Sequence, residues 1–149
     1  QSLCKRKVRS SNLLESTMKL DPRLHHYCQN ITRGYLNDVV EMYSLLGLKV
    51  VYIPENKDWI MVAQEPLQFA IQITQVEDTL ISDVELKKRA HIAFLSDNPQ
   101  AVIDKVEAWA KGKSIKFRQG GWSDIERYFD LPDIFTNFVV EVMHTSIEK

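Results

Sequence analysis

The chain has 149 residues, 44% of them hydrophobic and 26% charged, and its net charge is −1. These values are typical of one globular domain and argue against a disordered chain. They also argue against a broadly basic surface for nucleic acid, and no apolar run approaches the roughly 18 residues of a membrane span. We therefore expect neither a nucleic-acid partner nor a membrane partner.

Positive charge is concentrated near the N-terminus. Residues 1–23 hold six Lys and Arg against Glu15 and Asp21, whereas the remainder is mildly acidic. The segment has no helical apolar stripe and no aromatic residue, so residues 1–22 are predicted to form a flexible basic arm before a folded domain over 23–149. Contact with nucleic acid is the alternative use of such an arm.

The two cysteines, Cys4 and Cys28, are too few for a disulfide framework. The basic N-terminal residues are not followed by the apolar stretch of a secretory signal. Reduced thiols and a cytoplasmic location are the simplest interpretation.

The first half of the domain predicts a strand and then a helix. The strand covers residues 24–31. Apolar residues then recur with the spacing of one helical face, at Leu36, Val39, Val40, Tyr43 and Leu46. Gly47 follows at a position where helices commonly end.

Three strands are predicted after this helix. Residues 48–53 and 59–63 are rich in β-branched and aromatic side chains and are separated by a polar, turn-like segment. Pro66 opens the third strand, in which apolar and polar residues alternate from Leu67 to Thr74. One face of that strand is expected to enter a core, and the other to face water or a site.

Residues 76–88 begin with acidic side chains and end with Lys87 and Lys88, which favours a solvated linker that can include a short helical turn. The pattern then restarts with a strand over 90–95. Asn98 and Pro99 are a good N-cap and first-turn pair for a second helix.

The second helix shows its apolar face at Val102, Ile103, Val106, Trp109 and Ala110, and Trp109 is predicted to be core. Gly112 ends the helix. Further strands are predicted over 115–117, 127–129 and 137–143. Gly120-Gly121 is interpreted as a turn or flexible loop and not as a phosphate cradle, because no Lys-Ser or Lys-Thr pair follows it.

The order βαβββ therefore occurs twice, with modules over about 23–75 and 89–145. His26 lies 21 residues before Gly47, and His91 lies 21 residues before Gly112. Such a repeat indicates two copies of a unit that cannot bury its own sheet face alone. The prediction is an α+β fold in which the two modules form a cupped mixed sheet, with helices outside and a concave face free for a ligand.

Four short segments resemble the glyoxalase, or vicinal oxygen chelate, superfamily, which includes bleomycin-resistance proteins and extradiol dioxygenases. Residues 43–50 (Tyr-Ser-Leu-Leu-Gly-Leu-Lys-Val) resemble its helix-to-strand junction. Residues 91–94 (His-Ile-Ala-Phe) resemble the first strand of its second module. Residues 128–133 resemble its aromatic turn with Asp-Leu-Pro-Asp, and 139–141 its last strand.

This resemblance implies a divalent metal, such as Zn, Ni, Mn or Fe, on the concave face. The family's ligand positions fall on His26, His91 and Glu141, and two imidazoles with one carboxylate leave coordination positions open. His25 competes with His26, because aligning the two helices directly matches His25 with His91. Glu141 would also be the catalytic carboxylate.

The sequence departs from the family pattern on the fourth strand. An acidic ligand is common there, but the candidates here are Gln68, Ala70 and Gln72. The segment from Pro132 to Glu141 is also longer than usual, which leaves the register of Glu141 open.

Four residues are predicted to contact substrate: Trp59, Gln72, Trp122 and Tyr128. Trp59 and Trp122 can line an apolar pocket, although core packing of Trp59 and a loop position for Trp122 are the alternatives. An inward-facing Glu141 would need a partner, since burial of an unpaired charge is costly.

The leading hypothesis is a metal-dependent lyase, isomerase or transferase-like enzyme that acts on a small oxygenated molecule. The rival is a metal-free protein of the bleomycin-resistance type that sequesters a small molecule, and a third possibility is a sensor or interaction module. We also expect a homodimer. The two modules can pair within one chain or across two chains, and with cross-chain pairing the site would combine His26 of one copy with His91 and Glu141 of the other.

Overall fold

The computed structural model describes residues 20–148, which form two modules with the same order of elements. The first module consists of β1 (His26–Thr32), α1 (Leu36–Leu45), β2 (Lys49–Tyr52), β3 (Trp59–Ala63) and β4 (Ala70–Val76). A short linker helix, α2 (Val84–Lys87), precedes the second module. That module consists of β5 (His91–Ser96), α3 (Pro99–Gly112), β6 (Arg118–Ser123), β7 (Glu126–Asp130) and β8 (Val139–His144), with a 3₁₀ turn at Thr145–Glu148.

Each module builds its own four-stranded mixed sheet. The strand order is β1-β4-β3-β2 in the first sheet and β5-β8-β7-β6 in the second. The pairs β1–β4 and β5–β8 are parallel, and the others are antiparallel. The predicted α+β fold of two βαβββ modules is confirmed. Within residues 20–148 no ladder joins the two sheets, which meet instead through the core and one isolated bridge between Ile31 and Phe135.

Helix α1 ends where the sequence indicates. Gly47 has a φ of +84°, a left-handed conformation that glycine adopts without steric cost. The backbone N–H of Leu48 then donates to the carbonyl of Tyr43, which closes the turn at 3.1 Å. The buried face of α1 includes Tyr43, whose hydroxyl donates to the side-chain oxygen of Gln29 inside the core.

Helix α3 begins at the predicted cap, where the Asn98 side chain accepts from the N–H of Ala101 at 3.1 Å. It buries Ile103 and other apolar residues of the predicted face. Trp109 is only partly buried, because it lies where α3 contacts α1 and its indole N–H donates to Glu41 at 2.8 Å.

One apolar core joins the two modules. It contains the inner faces of both sheets and the facing sides of α1 and α3, with residues such as Ile31 and Val39 from the first module and Val106 and Phe129 from the second. Each sheet therefore turns one face toward this core and the other away from it. We call the second face the outer face of that sheet.

Several predicted boundaries were wrong. Residues 115–117 lie in a connection, and β6 begins at Arg118. Gly120-Gly121 is part of β6 and not a loop, and Trp122 lies on the same strand. The glycines serve packing there, because a Cβ at Gly120 would lie 2.6 Å from the hydroxyl of Tyr128 on the paired strand.

The alternating segment after Pro66 also begins its strand later than predicted. Strand β4 starts at Ala70, so Leu67 and Phe69 precede it and are exposed. Ile71 and Ile73 within the strand are buried, as the alternation indicates.

The linker is solvated at its acidic start but not at its end. Lys87 is fully buried, and its ammonium lies 2.6 Å from the carboxylate of Asp130. Arg118 completes this charge cluster at 2.7 Å from the second oxygen of Asp130. A buried charge requires such partners, so the cluster fixes the linker against the second sheet.

The predicted basic arm falls mostly on residues 1–19, outside the described range, and the proposed division into arm and domain stays a prediction. Cys28 is an exposed free thiol. Between residues 20 and 148, every helix is too short or too polar to cross a bilayer.

Candidate functional site

The outer face of the second sheet brings His91 and Glu141 together. Strand β8 lies between β5 and β7, so Glu141 occupies the middle of the sheet and not an edge. Glu141 is paired in register with Ala93, two residues after His91 on the parallel neighbour. Because alternate residues share a face, both side chains project from the outer side. Their contact is direct, with 3.0 Å between His91 Nε2 and Glu141 Oε2.

The other nitrogen of His91 fixes the orientation of its ring. Nδ1 lies 2.7 Å from the backbone carbonyl of Lys88, and a carbonyl can only accept, so Nδ1 carries a hydrogen. In the neutral imidazole, Nε2 then presents its lone pair toward Glu141. Two acceptor atoms that face each other at 3.0 Å require a shared proton or another cation between them.

Glu141 is an unusual carboxyl because only 5% of its surface is exposed. Burial raises the pKa of Glu141 above its ordinary value of 4.5, and the neighbouring Glu126 acts in the same direction. The charge of His91 opposes this change in pKa but is the smaller influence compared with burial. The side chain is therefore suited to hold a proton that other glutamates have already released.

Two aromatic side chains flank this pair. The Trp122 ring lies 5.1 Å from the ring of His91, and Tyr128 lies edge-on to Trp122 at 5.5 Å. The Lys88 ammonium lies 5.1 Å and 5.2 Å from the centres of the Trp122 and Tyr128 rings. Such cation–π contacts hold a charged group against an aromatic surface.

Lys88 was missed by sequence reasoning, which placed it in the linker. Its side chain is only 13% exposed, and its ionic partner is the exposed Glu85. Its position three residues before His91 is a usable signal, because a short turn there brings its carbonyl to the imidazole. The neighbouring Lys87 is held by its ion pair with Asp130, which fixes the backbone next to Lys88.

The outer face of the first sheet carries the remaining predicted residues. His26, Cys28 and Gln72 share this face, since His26 is paired with Ala70 and Cys28 with Gln72. The Gln72 amide donates to the hydroxyl of Thr74 at 3.0 Å, and the Cys28 sulfur lies 3.3 Å from the same hydroxyl.

His25 precedes β1, and its Nδ1 lies 2.9 Å from Nδ1 of His26. The strand register places His26, and not His25, on the outer face. His25 contributes instead to the wall of a neighbouring groove, so both histidines remain near the same surface.

That groove has a cavity volume of about 610 Å³. Its floor and walls are mostly apolar or aromatic, including Met61 and Phe69. Trp59 lines it together with Tyr52, and the two rings stack 5.4 Å apart. Trp59 therefore lies at the groove surface and not in the main core.

Known structures with a similar fold were compared with the chain. A glyoxalase/dioxygenase from Nostoc punctiforme matches with a TM-score of 0.52 and 21% identity over 82% of this chain and 90% of that one. The fosfomycin resistance protein FosX from Mesorhizobium loti matches with a TM-score of 0.51 and 14% identity over 83% and 92%. No family model matches the sequence, and no curated protein matches it significantly.

The chain has the glyoxalase-like fold. The resemblance inferred from the short motifs is therefore confirmed for the fold. Structural similarity at 14% and 21% sequence identity establishes the fold and not the activity.

This glyoxalase-like chain divides its predicted site between two surfaces. His91, Glu141, Trp122 and Tyr128 meet on the second sheet, whereas His26, Gln72 and Trp59 lie on the first. Among residues 20–148, no three His, Cys, Asp or Glu side chains converge closely enough to hold a metal. One copy of the chain does not bring His26 together with His91 and Glu141 in the described residues. The ligand set of these three residues stays a prediction.

Proposed function

We propose that the protein is a metal-dependent enzyme of the lyase, isomerase or transferase type that acts on a small oxygenated molecule. The observation that carries this proposal is the His91–Glu141 contact, with Nδ1 of His91 tied to the Lys88 carbonyl. A ligating histidine in proteins is commonly oriented by donation of its other N–H to a carbonyl or carboxylate. The pair has that arrangement.

The donor set fits a divalent ion in part. His91 and Glu141 supply one nitrogen and one oxygen 3.0 Å apart. Because burial raises the pKa of Glu141, a neighbouring positive charge would favour its ionised form. His26 would be the third ligand, with Zn, Ni, Mn or Fe as the candidate ions. When bound, such an ion would act as a Lewis acid toward the substrate oxygens.

The chain's own residues would do the remaining work. Glu141 would accept a proton from the substrate and return it, since its pKa is raised toward the range useful for such transfer. Trp122 and Tyr128 would form one wall of the site, and the Gln72 amide would contact the substrate from the facing sheet. Substrate-binding roles for these residues and for Trp59 remain part of the proposal.

We infer that the third ligand comes from a second copy. Each outer face carries only part of the set, and exposed apolar residues outside the groove, such as Leu24, Val50 and Ile53, lie on or next to the strands of the first sheet. Exposed apolar patches of this kind are commonly covered by a partner. A twofold homodimer that sets the first sheet of one copy against the second sheet of the other would make two equivalent sites. The cytoplasmic location of the protein is a separate prediction.

Metal analysis tests the proposal. Purified protein is expected to bind Zn²⁺ or Ni²⁺ at micromolar concentration and to sediment at about twice the 17.3 kDa mass of one chain. His91→Ala and Glu141→Gln should each lower metal affinity by at least about tenfold. His144→Ala is the matched control, since His144 bonds Ser146 at the end of the same strand. Equal affinity in His91→Ala and wild type would contradict the metal site.

A mixing experiment tests the shared site. His26→Ala and His91→Ala chains would each lack metal alone, but a mixed dimer would contain one site with both histidines intact. Random exchange makes half of the dimers mixed, each with one intact site of two, so about a quarter of the wild-type capacity should return. No recovery after verified exchange would indicate that the two histidines do not act across chains. His25→Ala in the same assay decides between the adjacent histidines.

A metal-free binding protein of the bleomycin-resistance type is the second candidate function. Gln72 favours it, because an amide occupies the strand on which an acidic ligand is expected and already donates to Thr74. The groove of about 610 Å³ is large enough for a drug-sized molecule. Ligand binding that is unchanged by a chelator, together with an absence of bound metal, would select this function over the first.

A further inference from the structure

The groove on the first sheet has a chemical character of its own. We propose that it binds a planar aromatic molecule that carries an anionic group, with the ring against Tyr52 and Trp59 and the anion at Arg23. This proposal names a ligand class for the proposed function. It rests on the proposed function in one respect, that the outer faces of the sheets bind small molecules.

The aromatic part of the proposal follows from the groove surface. Tyr52 and Trp59 stack at an interplanar angle of 26°, and both side chains line the groove. Tyr52 is 54% exposed and therefore has a free area on which another ring can lie. Met61 and Phe69 extend the same lining with polarisable groups. A flat ring gains contact with such a surface without large losses of internal freedom.

The charge of the ligand follows from Arg23. Arg23 lines the groove, and its guanidinium donates through Nη1 to the backbone carbonyls of Gln68 and Leu24, at 2.8 Å and 3.4 Å. In the part of the chain that the structure describes, Arg23 has no carboxylate partner, and no Asp or Glu lines the groove. The Arg23 residue is partly exposed, and a guanidinium with spare N–H groups is a strong recognition element for a carboxylate or sulfonate.

The chain's own N-terminal segment does not have the charge for this position. Residues 1–19 contain five Lys and Arg against the single acidic residue Glu15. Such a segment would be repelled by Arg23. The space of about 610 Å³ fits a ligand of small-molecule size.

Matched probes test the ligand class. The full-length protein would be titrated by calorimetry with 2-naphthoate, with neutral 2-naphthalenemethanol, with cationic 2-naphthylmethylammonium and with non-planar cyclohexanecarboxylate. 2-Naphthoate should bind at least about tenfold more tightly than each of the other three, and its affinity should fall as NaCl is raised. Equal affinity for the anionic and neutral naphthalenes, or no binding of any probe, would overturn the proposal.

Variants assign the binding to the groove. Arg23→Gln should lower the affinity for 2-naphthoate about tenfold and change the affinity for 2-naphthalenemethanol by less than about twofold. Lys49→Gln is the charge-matched control, because Lys49 lies on the same sheet, outside the groove, and pairs weakly with Glu65 at 3.7 Å. Tyr52→Ala should weaken the binding of both 2-naphthoate and 2-naphthalenemethanol. Because Tyr52 is exposed, the variant should fold normally, and circular dichroism checks this. An Arg23→Gln variant that binds 2-naphthoate as wild type does would refute the role of Arg23.

The outcome is separable from that of the metal site. Protein stripped of metal with a chelator should bind 2-naphthoate within about twofold of the untreated protein, because Arg23, Tyr52 and Trp59 are not among the proposed metal ligands. Metal binding without naphthoate binding would overturn only the ligand class. Naphthoate binding in a protein that takes up no metal would overturn only the metal-dependent function.

Discussion

Lys87 Nζ lies 2.6 Å from Asp130 Oδ1, and both side chains are fully buried. This contact joins the end of the linker to β7, and Arg118 binds the second oxygen of the same carboxylate. The Arg118 side chain also donates to the carbonyl of Ser82, so the cluster holds both ends of the α2 turn. Lys88, the next residue, supplies the carbonyl that orients His91. A structural ion pair in the linker therefore supports the candidate site.

Lys87→Met should lower the free energy of unfolding by about 3 kcal/mol, because it leaves Asp130 with one cation instead of two in a buried position. Urea denaturation followed by circular dichroism measures the loss. Lys105→Met is the control, since Lys105 is exposed on α3, and its effect should stay within about 0.5 kcal/mol. A Lys87→Met protein as stable as this control would show that the pair contributes little.

Glu141 should make stability depend on pH in a defined direction. Its pKa is raised in the folded protein, so between 4.5 and the folded-state value the folded chain holds more protons than the unfolded chain. Stability from this group is therefore complete below pH 4.5 and falls as pH rises through the folded pKa. Glu141→Gln removes this dependence, so its stability relative to wild type should increase from pH 4.5 to pH 7.5 in metal-free buffer.

Urea unfolding of both proteins at several pH values gives this comparison. Glu148→Gln, at the exposed C-terminal turn, is the control for loss of one carboxylate. A constant difference between Glu141→Gln and wild type across the range would contradict a raised pKa.

Two glycines at helix ends should respond oppositely to alanine. Gly47→Ala places a side chain at a φ of +84° and should cost about 1–2 kcal/mol of unfolding free energy. Gly112→Ala meets no atom within 4 Å and has ordinary helical geometry, so it should stabilise by up to about 1 kcal/mol. Thermal or urea unfolding measures both, and a loss at Gly112 equal to that at Gly47 would disprove the conformational argument.

Gly120 and Tyr128 should be energetically coupled. A Cβ at Gly120 would lie 2.6–2.9 Å from atoms of the Tyr128 ring and hydroxyl, so Gly120→Ala must displace the ring from Trp122 and Lys88. The expected cost is about 1–3 kcal/mol. In a Tyr128→Ala background the same change should cost at least about 1 kcal/mol less. A double-mutant cycle by urea unfolding measures the coupling, and additive effects would mean that the close approach is relieved elsewhere.

The local signals in the sequence were sufficient for the two helices. The periodic apolar residues, Gly47 as the stop of α1 and Asn98 as the cap of α3 depend on interactions within a few residues, and the structure has each of them. Strand β3 also covers the predicted residues 59–63. The repeated element order follows from these local patterns, which is why the two-module fold could be predicted.

The interior of the second sheet could not be predicted in the same way. Gly120-Gly121 has the composition of a loop, but it is held in β6 by pairing with β7 and by the Tyr128 ring that crosses it. Lys87 has the composition of a solvated linker, but Asp130, 43 residues later, buries it. Both outcomes depend on partners distant in sequence, which local propensity does not contain.

The sequence by itself determined the order of the elements and the residue types available for chemistry. Only the tertiary structure decided that Glu141 meets His91, because the register of β8 on β5 sets which side chains share a face. It also placed His26 on the outer face of the other sheet, since each βαβββ unit pairs its strands internally and packs its inner face into the common core. A one-residue change of either register would turn these side chains into the core, so their positions follow from strand pairing and burial and not from the sequence motif alone.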